Sequence, residues 1–385
     1  MVRRIAILGS TGSIGTNALR VIEVLGDEYS VFALSAHSKV DLLAEQVRRF
    51  RPKVVAITDG SCVERLGELL TGLDVEILSG PESLVALAEL DEVDTVLTAI
   101  VGAAGLPAVL AAAKKGKHLA IANKEPLIIA GELLMAEAAR SGSKILPVDS
   151  EHSAIFQAMQ AGKPAEVARI ILTASGGPFR ELRAEEIRCV TLEQALAHPT
   201  WDMGPKISID SATMMNKALE IIEARWLFDV PVEKIKVLIH PESIVHSLVE
   251  FVDASVIAQL GRPDMCLPIQ YALTYPDRLP GPAKAPQLAE IGSLTFSEPD
   301  HKVFHALPLA YEVSRIGGTA AGVFSAANEA AVEEFLAGRI KFVNILELVE
   351  DCLNKHDVKT GVSLEELLEA DEWARRQVAA LACSV

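Results

Sequence analysis

Between Lys206 and Glu220 the chain reads Lys-Ile-Ser-Ile-Asp-Ser-Ala-Thr-Met-Met-Asn-Lys-Ala-Leu-Glu, which places an amide, an ammonium and a carboxylate at helical spacing. Ser211 reads as an N-cap and the apolar-rich run through Phe228 as the helix that follows. At ~100° per residue, Asn216, Lys217, Glu220 and Glu223 fall within about a third of the circumference. The remainder is mostly apolar: Met214, Met215, Ala218, Leu219, Ile221, Ile222, Trp226 and Leu227. A narrow polar stripe on a largely buried helix points to a ligand site; the competing reading is a solvated face with a Lys-Glu pair. A second acidic group, Asp149-Ser150-Glu151, follows the strand-like Lys144-Ile-Leu-Pro-Val148. In extended chain, residues i and i+2 point to one side, so both carboxylates could face one point, and Glu220 would be a third oxygen ligand. Three hard oxygen donors suit Mg2+ or Mn2+ better than zinc, and without a cation they would repel one another.

Ser175, Ser211, Asn216 and Lys217 offer two hydroxyls, an amide and one cation, a set able to hold a phosphate without arginine. Ser175 lies in Thr173-Ala-Ser-Gly-Gly-Pro-Phe179, and the next loop-like stretch ends His198-Pro-Thr-Trp201-Asp-Met203-Gly204. Glycines at one end and a bulky His/Trp pair near the other fit a lid over a ligand, at about residues 175–204. Against that stand a surface histidine and a core tryptophan.

A different chemistry opens the chain. Ile5-Ala-Ile-Leu-Gly9-Ser-Thr-Gly12-Ser-Ile-Gly15 follows a strand and starts a helix, with G-x-x-G-x-x-G spacing. Such a turn lets backbone N–H groups and a helix N-terminus approach a pyrophosphate, and Thr11 and Ser13 add hydroxyl donors. An NAD site usually carries an acid after the second strand. Here that strand ends Leu34-Ser-Ala-His37-Ser38-Lys39, with no carboxylate before Asp41, so a hydroxyl and a cation stand where a 2'-phosphate needs them and NADP(H) is favoured. Asn123-Lys124-Glu125 ends a fully apolar strand and could contact ribose or substrate; the alternative is a helix start capped by Asn123.

The elements that must position these groups form an α/β chain. Strand-like runs at Arg4–Leu8, Val31–Leu34, Val54–Ile57, Val75–Leu78, Thr95–Ile100, His118–Ala122 and Lys144–Pro147, several separated by helical patterns, predict a parallel doubly wound sheet in residues 1–149. Strands at Arg169–Thr173, Lys236–Ile239 and Ser247–Val252 mix with the Ser211 helix in a central α/β region, 150–285, which ends at the proline-rich Leu279–Pro286. Residues 286–385 contain that linker's end and a helical domain broken at Gly317-Gly318, Gly338 and Gly361. Half of the 385 residues are apolar, enough for several cores, and a net charge of -16 argues against nucleic acid as partner. Five scattered cysteines without C-x-x-C spacing indicate a reduced compartment. Thr95–Ala113 carries no charge, yet Gly102, Gly105 and Pro107 interrupt it, so strand, turn and buried helix is preferred to a membrane span. The strand begins immediately after Met-Val-Arg-Arg, which leaves no room for a signal or transit peptide, so a cytoplasmic protein is expected.

Taken in order, Gly9–Gly15, Asn123-Lys-Glu125, Val148-Asp-Ser-Glu-His152, Thr173–Phe179, His198-Pro-Thr-Trp201, Lys206–Lys217, His240-Pro-Glu-Ser-Ile-Val-His246-Ser and Gly261-Arg-Pro-Asp-Met265 resemble the 1-deoxy-D-xylulose 5-phosphate reductoisomerase family. The resemblance implies a Rossmann-like NADPH domain, a central catalytic and dimerisation domain with a flexible lid, and a C-terminal helical domain. It implies rearrangement and NADPH reduction of 1-deoxy-D-xylulose 5-phosphate to 2-C-methyl-D-erythritol 4-phosphate, in the methylerythritol phosphate route to isoprenoids. By resemblance, Asp149, Glu151 and Glu220 bind Mg2+ or Mn2+, with Co2+ as a further choice, and the cation chelates the substrate's carbonyl and adjacent hydroxyl. Ser175, Ser211, Asn216 and Lys217 match the phosphate pocket. Lys124, Ser150, Glu151, His198 and Glu220 match positions lining sugar and metal. Thr11, Gly12, Ser13, Ile14, Asn123, Glu125 and Gly204 match cofactor contacts, with His37, Ser38 and Lys39 at the 2'-phosphate turn, and Trp201 and Met203 match the lid. A homodimer blocked by phosphonohydroxamates such as fosmidomycin is implied as well.

Three places in the chain depart from the family pattern. His37-Ser38-Lys39 replaces Gly, a basic residue and Asn; Pro126 replaces a common Ser; Cys266 replaces the Arg that usually follows Pro-Asp-Met. Two other classes compete with this reading. A semialdehyde-dehydrogenase-like oxidoreductase would need an activated cysteine. A redox-sensing dinucleotide binder would need neither metal nor lid.

Overall fold

The computed structural model describes residues 2–201 and 203–383. Its chain divides into two compact units: Met1–Pro126, Glu132–Ser153 and Asp264–Lys284 form the first, and Leu127–Gly131, Ala154–Pro263 and Ala285–Val385 the second.

In the first unit, seven strands pair in the order β4-β3-β2-β1-β5-β6-β7. They are β1 Arg3–Leu8, β2 Tyr29–Ala36, β3 Val54–Ile57, β4 Glu76–Ser79, β5 Thr95–Thr98, β6 His118–Ile121 and β7 Lys144–Pro147. All pairings are parallel. Strands covered on both faces read as unbroken apolar runs, which is why β3 (Val-Val-Ala-Ile) and the interior of β1 are fully buried. The order reverses at β1, and in such sheets ligands bind outside the carboxyl ends of the strands at that reversal. Thr95–Ala113 resolves into β5, a 3-10 turn at Ala103–Gly105 and the helix Leu106–Lys114. Among the described residues no helix is long and apolar enough to cross a membrane. The helix Cys266–Thr274 belongs to this unit, so the 150–285 stretch of the sequence is divided in space. Arg3 donates a hydrogen bond to the carbonyl of Leu273 from that returning segment.

The second unit holds a four-stranded sheet, β11-β10-β8-β9. Its strands are β8 Val167–Ala174, β9 Ile235–Ile239, β10 Val245–Phe251 and β11 Val256–Leu260. β8 and β9 are parallel, and β10 runs antiparallel to β8 and β11. The helix Met215–Phe228 is buried on nearly all sides, and four helices (Ala306–Ile316, Ala320–Leu336, Phe342–Lys355 and Leu364–Ala382) share its core. Phe342 joins the parts through edge-to-face contacts with Phe179 and Phe335, at centroid distances of 5.3 and 5.7 Å. Residues 286–385 therefore share one core with the central region. The breaks expected at Gly317-Gly318, Gly338 and Gly361 all have positive φ.

Two local expectations need correction. Ser211 is not the N-cap of the Met215–Phe228 helix; it lies inside a preceding helix, Pro205–Ala212. The chain breaks between them at Met214, buried with φ 59°, a conformation that interrupts helical hydrogen bonding without a glycine to announce it. Asp149-Ser150-Glu151 is not extended either, because Ser150 opens the helix Ser150–Ala158.

Candidate functional site

In the first unit the glycine loop is built by backbone. Gly9 has φ 88°, and a Cβ there would stand 2.5 Å from the Ala99 carbonyl oxygen. At Gly15 a Cβ would meet the Gly9 carbonyl oxygen at 2.4 Å, so the helix can sit on the loop only without a side chain. That helix, Ser13–Leu25, starts at Gly12 with no side-chain cap, which leaves its N-terminal N–H groups for a ligand anion. Thr11 is buried beside it, Gly12 and Ile14 are half-buried, and Ser13 is exposed. At the end of β2, His37, Ser38 and Lys39 are all exposed. Asp41, the nearest following carboxylate, is held by Arg65 through two bonds of 2.8 and 2.7 Å.

After β6, the alternative of Asn123 as a helix cap is not what the structure shows. The helix Glu125–Ser141 is capped at Lys124, and Pro126 sits in its first turn, where a missing N–H costs nothing. Asn123 is buried, and both its amide atoms lack a hydrogen-bond partner among the described residues. An amide in that state is a ready donor and acceptor for a nicotinamide or ribose. Lys124, also buried, donates to Asp149 Oδ2 at 2.9 Å. Asp149 Oδ1 accepts from Glu151 N at 3.2 Å, so it is the helix start, and not strand alternation, that brings the two carboxylates together. Ser150 Oγ donates to the Glu151 carboxylate. Fully buried His152 places Nδ1 3.3 Å from Asp149 Oδ1. The sequence does not single out this approach, although the i+3 spacing on a helix allows it.

The second unit builds its half from side chains. Gly177 has φ 64°, and a Cβ on it would lie 2.6 Å from the Ser211 carbonyl oxygen. The loop after β8 therefore reaches the end of the Pro205–Ala212 helix, which brings Ser175 and Ser211 to one region. Ser175 Oγ lies 3.0 Å from His198 Nε2 and accepts from Gly177 N at 3.2 Å. Thr200 N and Trp201 N donate to His198 Nδ1 at 3.1 and 2.9 Å. Two N–H donors at Nδ1 require a lone pair there, so the ring proton sits on Nε2 and Nε2–H donates to Ser175 Oγ. The Ser175 hydroxyl hydrogen is left to donate outward. Burial, and then the Arg180 charge, hold the His198 pKa below the ordinary histidine value, which keeps the ring neutral.

Trp201 is half-buried, its ring 6.3 Å from that of His246; Met203 is half-buried, and exposed Gly204 caps the Pro205–Ala212 helix. On the following helix Lys217 and Glu220 are buried, at 3% and 0% exposure, which rules out the solvated-face reading. The Glu220 carboxylate accepts from Lys217 and, at 2.5 Å, from Asn216. Buried Asp210, another group the sequence did not flag, ties the preceding helix in place: it accepts from Asn328 at 2.8 Å and pairs with Lys206 at 2.8 Å.

Cys266 is fully buried, with Sγ 3.6 Å from Asn17 Oδ1. Burial, with a hydrogen bond and charge from Asp264, pushes its thiol up to about 11, so it stays protonated and is no activated nucleophile.

Comparison with known proteins agrees along the whole chain. The family profile described as 1-deoxy-D-xylulose 5-phosphate reductoisomerase matches residues 5–131. Profiles for C-terminal domains of the same family match residues 145–228 and 260–377. A protein of that name from Trichlorobacter lovleyi is 51% identical over 97% of this chain and 96% of its own length. One from Acetivibrio thermocellus is 51% identical over 98% of this chain and 99% of its own. The solved structure of the Zymomonas mobilis 1-deoxy-D-xylulose 5-phosphate reductoisomerase in complex with NADPH covers 100% of both chains with a TM-score of 0.95 at 45% identity. A DOX-P reductoisomerase in complex with NADPH, fosmidomycin and magnesium gives 0.93 at 42% identity, over 99% of this chain and 98% of its own. The chain belongs to the 1-deoxy-D-xylulose 5-phosphate reductoisomerase family. Membership sets aside the dehydrogenase and nucleotide-sensor readings.

Proposed function

We propose that this member of the reductoisomerase family divides its reaction between a backbone-built nucleotide cradle and a side-chain-built phosphate and metal site. The chain converts 1-deoxy-D-xylulose 5-phosphate to 2-C-methyl-D-erythritol 4-phosphate in the non-mevalonate route to isoprenoids, with NADPH and a divalent metal. When bound, NADPH supplies hydride and the cation supplies Lewis acidity at the substrate oxygens.

Asp149, Glu151 and Glu220 are our ligands for Mg2+ or Mn2+, and all three offer the hard oxygen that such ions take. Ser175, Ser211, Asn216 and Lys217 hold the phosphate, with His198 orienting the Ser175 hydroxyl. Lys124 and Ser150 line the sugar beside Glu151. Thr11, Gly12, Ser13, Ile14, Asn123, Glu125 and Gly204 contact the nucleotide, and His37, Ser38 and Lys39 take its 2'-phosphate. Trp201 and Met203 belong to a lid that excludes water.

The single observation that carries the reading is the stripe of half-buried Asn216 with buried Lys217 and Glu220. A carboxylate buried against an ammonium and an amide is costly to assemble, and is explained if a cation and an anion bind there in turn. Residues 1–149 would then form the nucleotide domain and 150–285 the catalytic one, with 286–385 as its helical support. A cytoplasmic homodimer is the form we propose. In the second unit the edge strand β11 exposes Val256 and Ile257, as a surface covered by a second copy would.

The test follows loss of reduced nicotinamide absorbance with 1-deoxy-D-xylulose 5-phosphate and Mg2+, with and without EDTA. Substrate-dependent oxidation, abolished by the chelator and yielding the branched tetritol phosphate, is expected. A folded, metal-supplied protein that oxidises no NADPH would defeat the assignment.

A further inference from the structure

At the carboxyl end of the first unit's sheet, β2 and β3 release adjacent turns. Ala36 pairs with Ile57, and the ladder continues past both strands, with Thr58 N on the Ala36 carbonyl at 3.0 Å and Asp59 N on the His37 carbonyl at 3.1 Å. The Thr58 hydroxyl lies 2.8 Å from His37 Nδ1. The carboxylates nearby are already engaged. Asp59 turns to Ser61, accepting from its N at 3.0 Å and its Oγ at 2.6 Å, and Asp41 is forked by Arg65. What the two turns leave facing solvent is the His37 ring, Ser38 and the Lys39 ammonium, an exposed cluster of donors.

We propose that Thr58 is a positioning residue for nucleotide discrimination: it holds the His37 ring so that Nε2–H is presented to the phosphate monoester on the cofactor's ribose. The inference rests on the assignment of His37–Lys39 to that phosphate. A hydroxyl suits the task because it can donate to Nδ1 of a neutral ring or accept from Nδ1–H of an imidazolium. In both of these arrangements Nε2 carries a proton, so the contact with Thr58 fixes the ring's orientation together with an outward donor. The family's usual Gly, basic residue and Asn at this turn have no imidazole to orient. The substitution to His37 therefore makes the residue at the end of β3 part of the recognition. NADH lacks the phosphate, and the orientation of His37 has nothing to act on there.

The experiment is a direct binding titration by nicotinamide fluorescence on the substrate-free full chain. NADPH and NADH are titrated against wild type, Thr58→Val, Thr58→Ser and His37→Ala. Thr58→Val is expected to raise the NADPH Kd roughly threefold to tenfold, the net worth of one hydrogen bond, with the NADH Kd unchanged. Thr58→Ser, which keeps the hydroxyl, restores NADPH binding. Equal weakening of both nucleotides by Thr58→Val, or none, overturns the proposal. His37→Ala separates the two levels. If it leaves the NADPH preference intact, the turn does not hold the phosphate and the site assignment fails too. If it reduces the preference while Thr58→Val does not, only the role of Thr58 fails.

Discussion

The glycine loop of the first unit and the Met214–Glu220 segment of the second are the two parts we assign to anions, and they are built by opposite means. The loop uses backbone: Gly9 and Gly15 remove side chains so that chain and helix N-terminus come close. The break uses side chains: buried Lys217 and half-buried Asn216 both donate to the Glu220 carboxylate. A backbone cradle is insensitive to charge and sensitive to a single methyl group. A side-chain site is the reverse, because each buried charge depends on its partner. This contrast suits the ligands: a nucleotide that must leave oxidised, and a phosphate sugar that must be held through a rearrangement.

The largest effect that would sharpen the contrast is at Glu220. Glu220→Gln keeps the shape and removes the charge. We expect kcat/KM to fall roughly a hundredfold or more, as for loss of a metal ligand, with NADPH Kd within about twofold of wild type. Metal-dependent turnover that survives intact would remove Glu220 from the site. Next comes Gly9→Ala, one methyl on the other side of the comparison. Its strained φ and clash with the Ala99 carbonyl should cost roughly 1–3 kcal/mol of stability and weaken both nucleotides alike. Calorimetry and binding on the same sample check this, and a variant as stable as wild type breaks the backbone argument.

A smaller effect is expected from pH at His198. Its folded pKa is lowered, so the fold favours the neutral ring. Its stabilising contribution is complete above the unfolded histidine value of about 6.5 and is lost as pH falls through the lower folded value. The 175–204 segment should become easier to cleave by protease over that acidic range. Cleavage that does not change with pH would refute the Nε2–H tautomer as its anchor. Smallest is Cys266→Ala. A thiol held protonated by burial takes no part in chemistry, so kcat should stay within about twofold, while the lost packing costs roughly 1–2 kcal/mol in thermal unfolding.

The first unit was the more legible of the two. β3 and β7 fall where apolar runs bounded by turn residues place them, and the other five strands differ from expectation by one or two residues at one or both ends. Buried parallel strands write themselves as continuous hydrophobic sequence. In the second unit β11 went unseen. Its turn places φ 68° on Ala254, where glycine or asparagine would have announced a hairpin. The break at Met214 is hidden for the same reason, and so Ser211 reads as a cap in the sequence. The Asp149 and Glu151 carboxylates do lie close together, but a helix start brings them there in place of strand alternation. Thr58 carries no signal, because its partner His37 lies 21 residues away; Asp210 shows only its i+4 neighbour Lys206, because Asn328 lies 118 residues on.

What the sequence by itself determined is what acts over a turn or a strand. It set the period of each element, the glycines that permit Gly9 and the C-terminal breaks, and the residue types able to hold a nucleotide, a phosphate and a hard cation. Its ordered motifs were also enough to identify the family. Only the tertiary structure decided that the Gly177 loop reaches Ser211 and that His198 Nε2 meets Ser175 Oγ. It alone returned Asp264–Lys284 to the first unit. Propensity and periodicity are local free energies over a few residues. Convergence of distant side chains is set by how whole elements pack, and no short window of sequence contains that information.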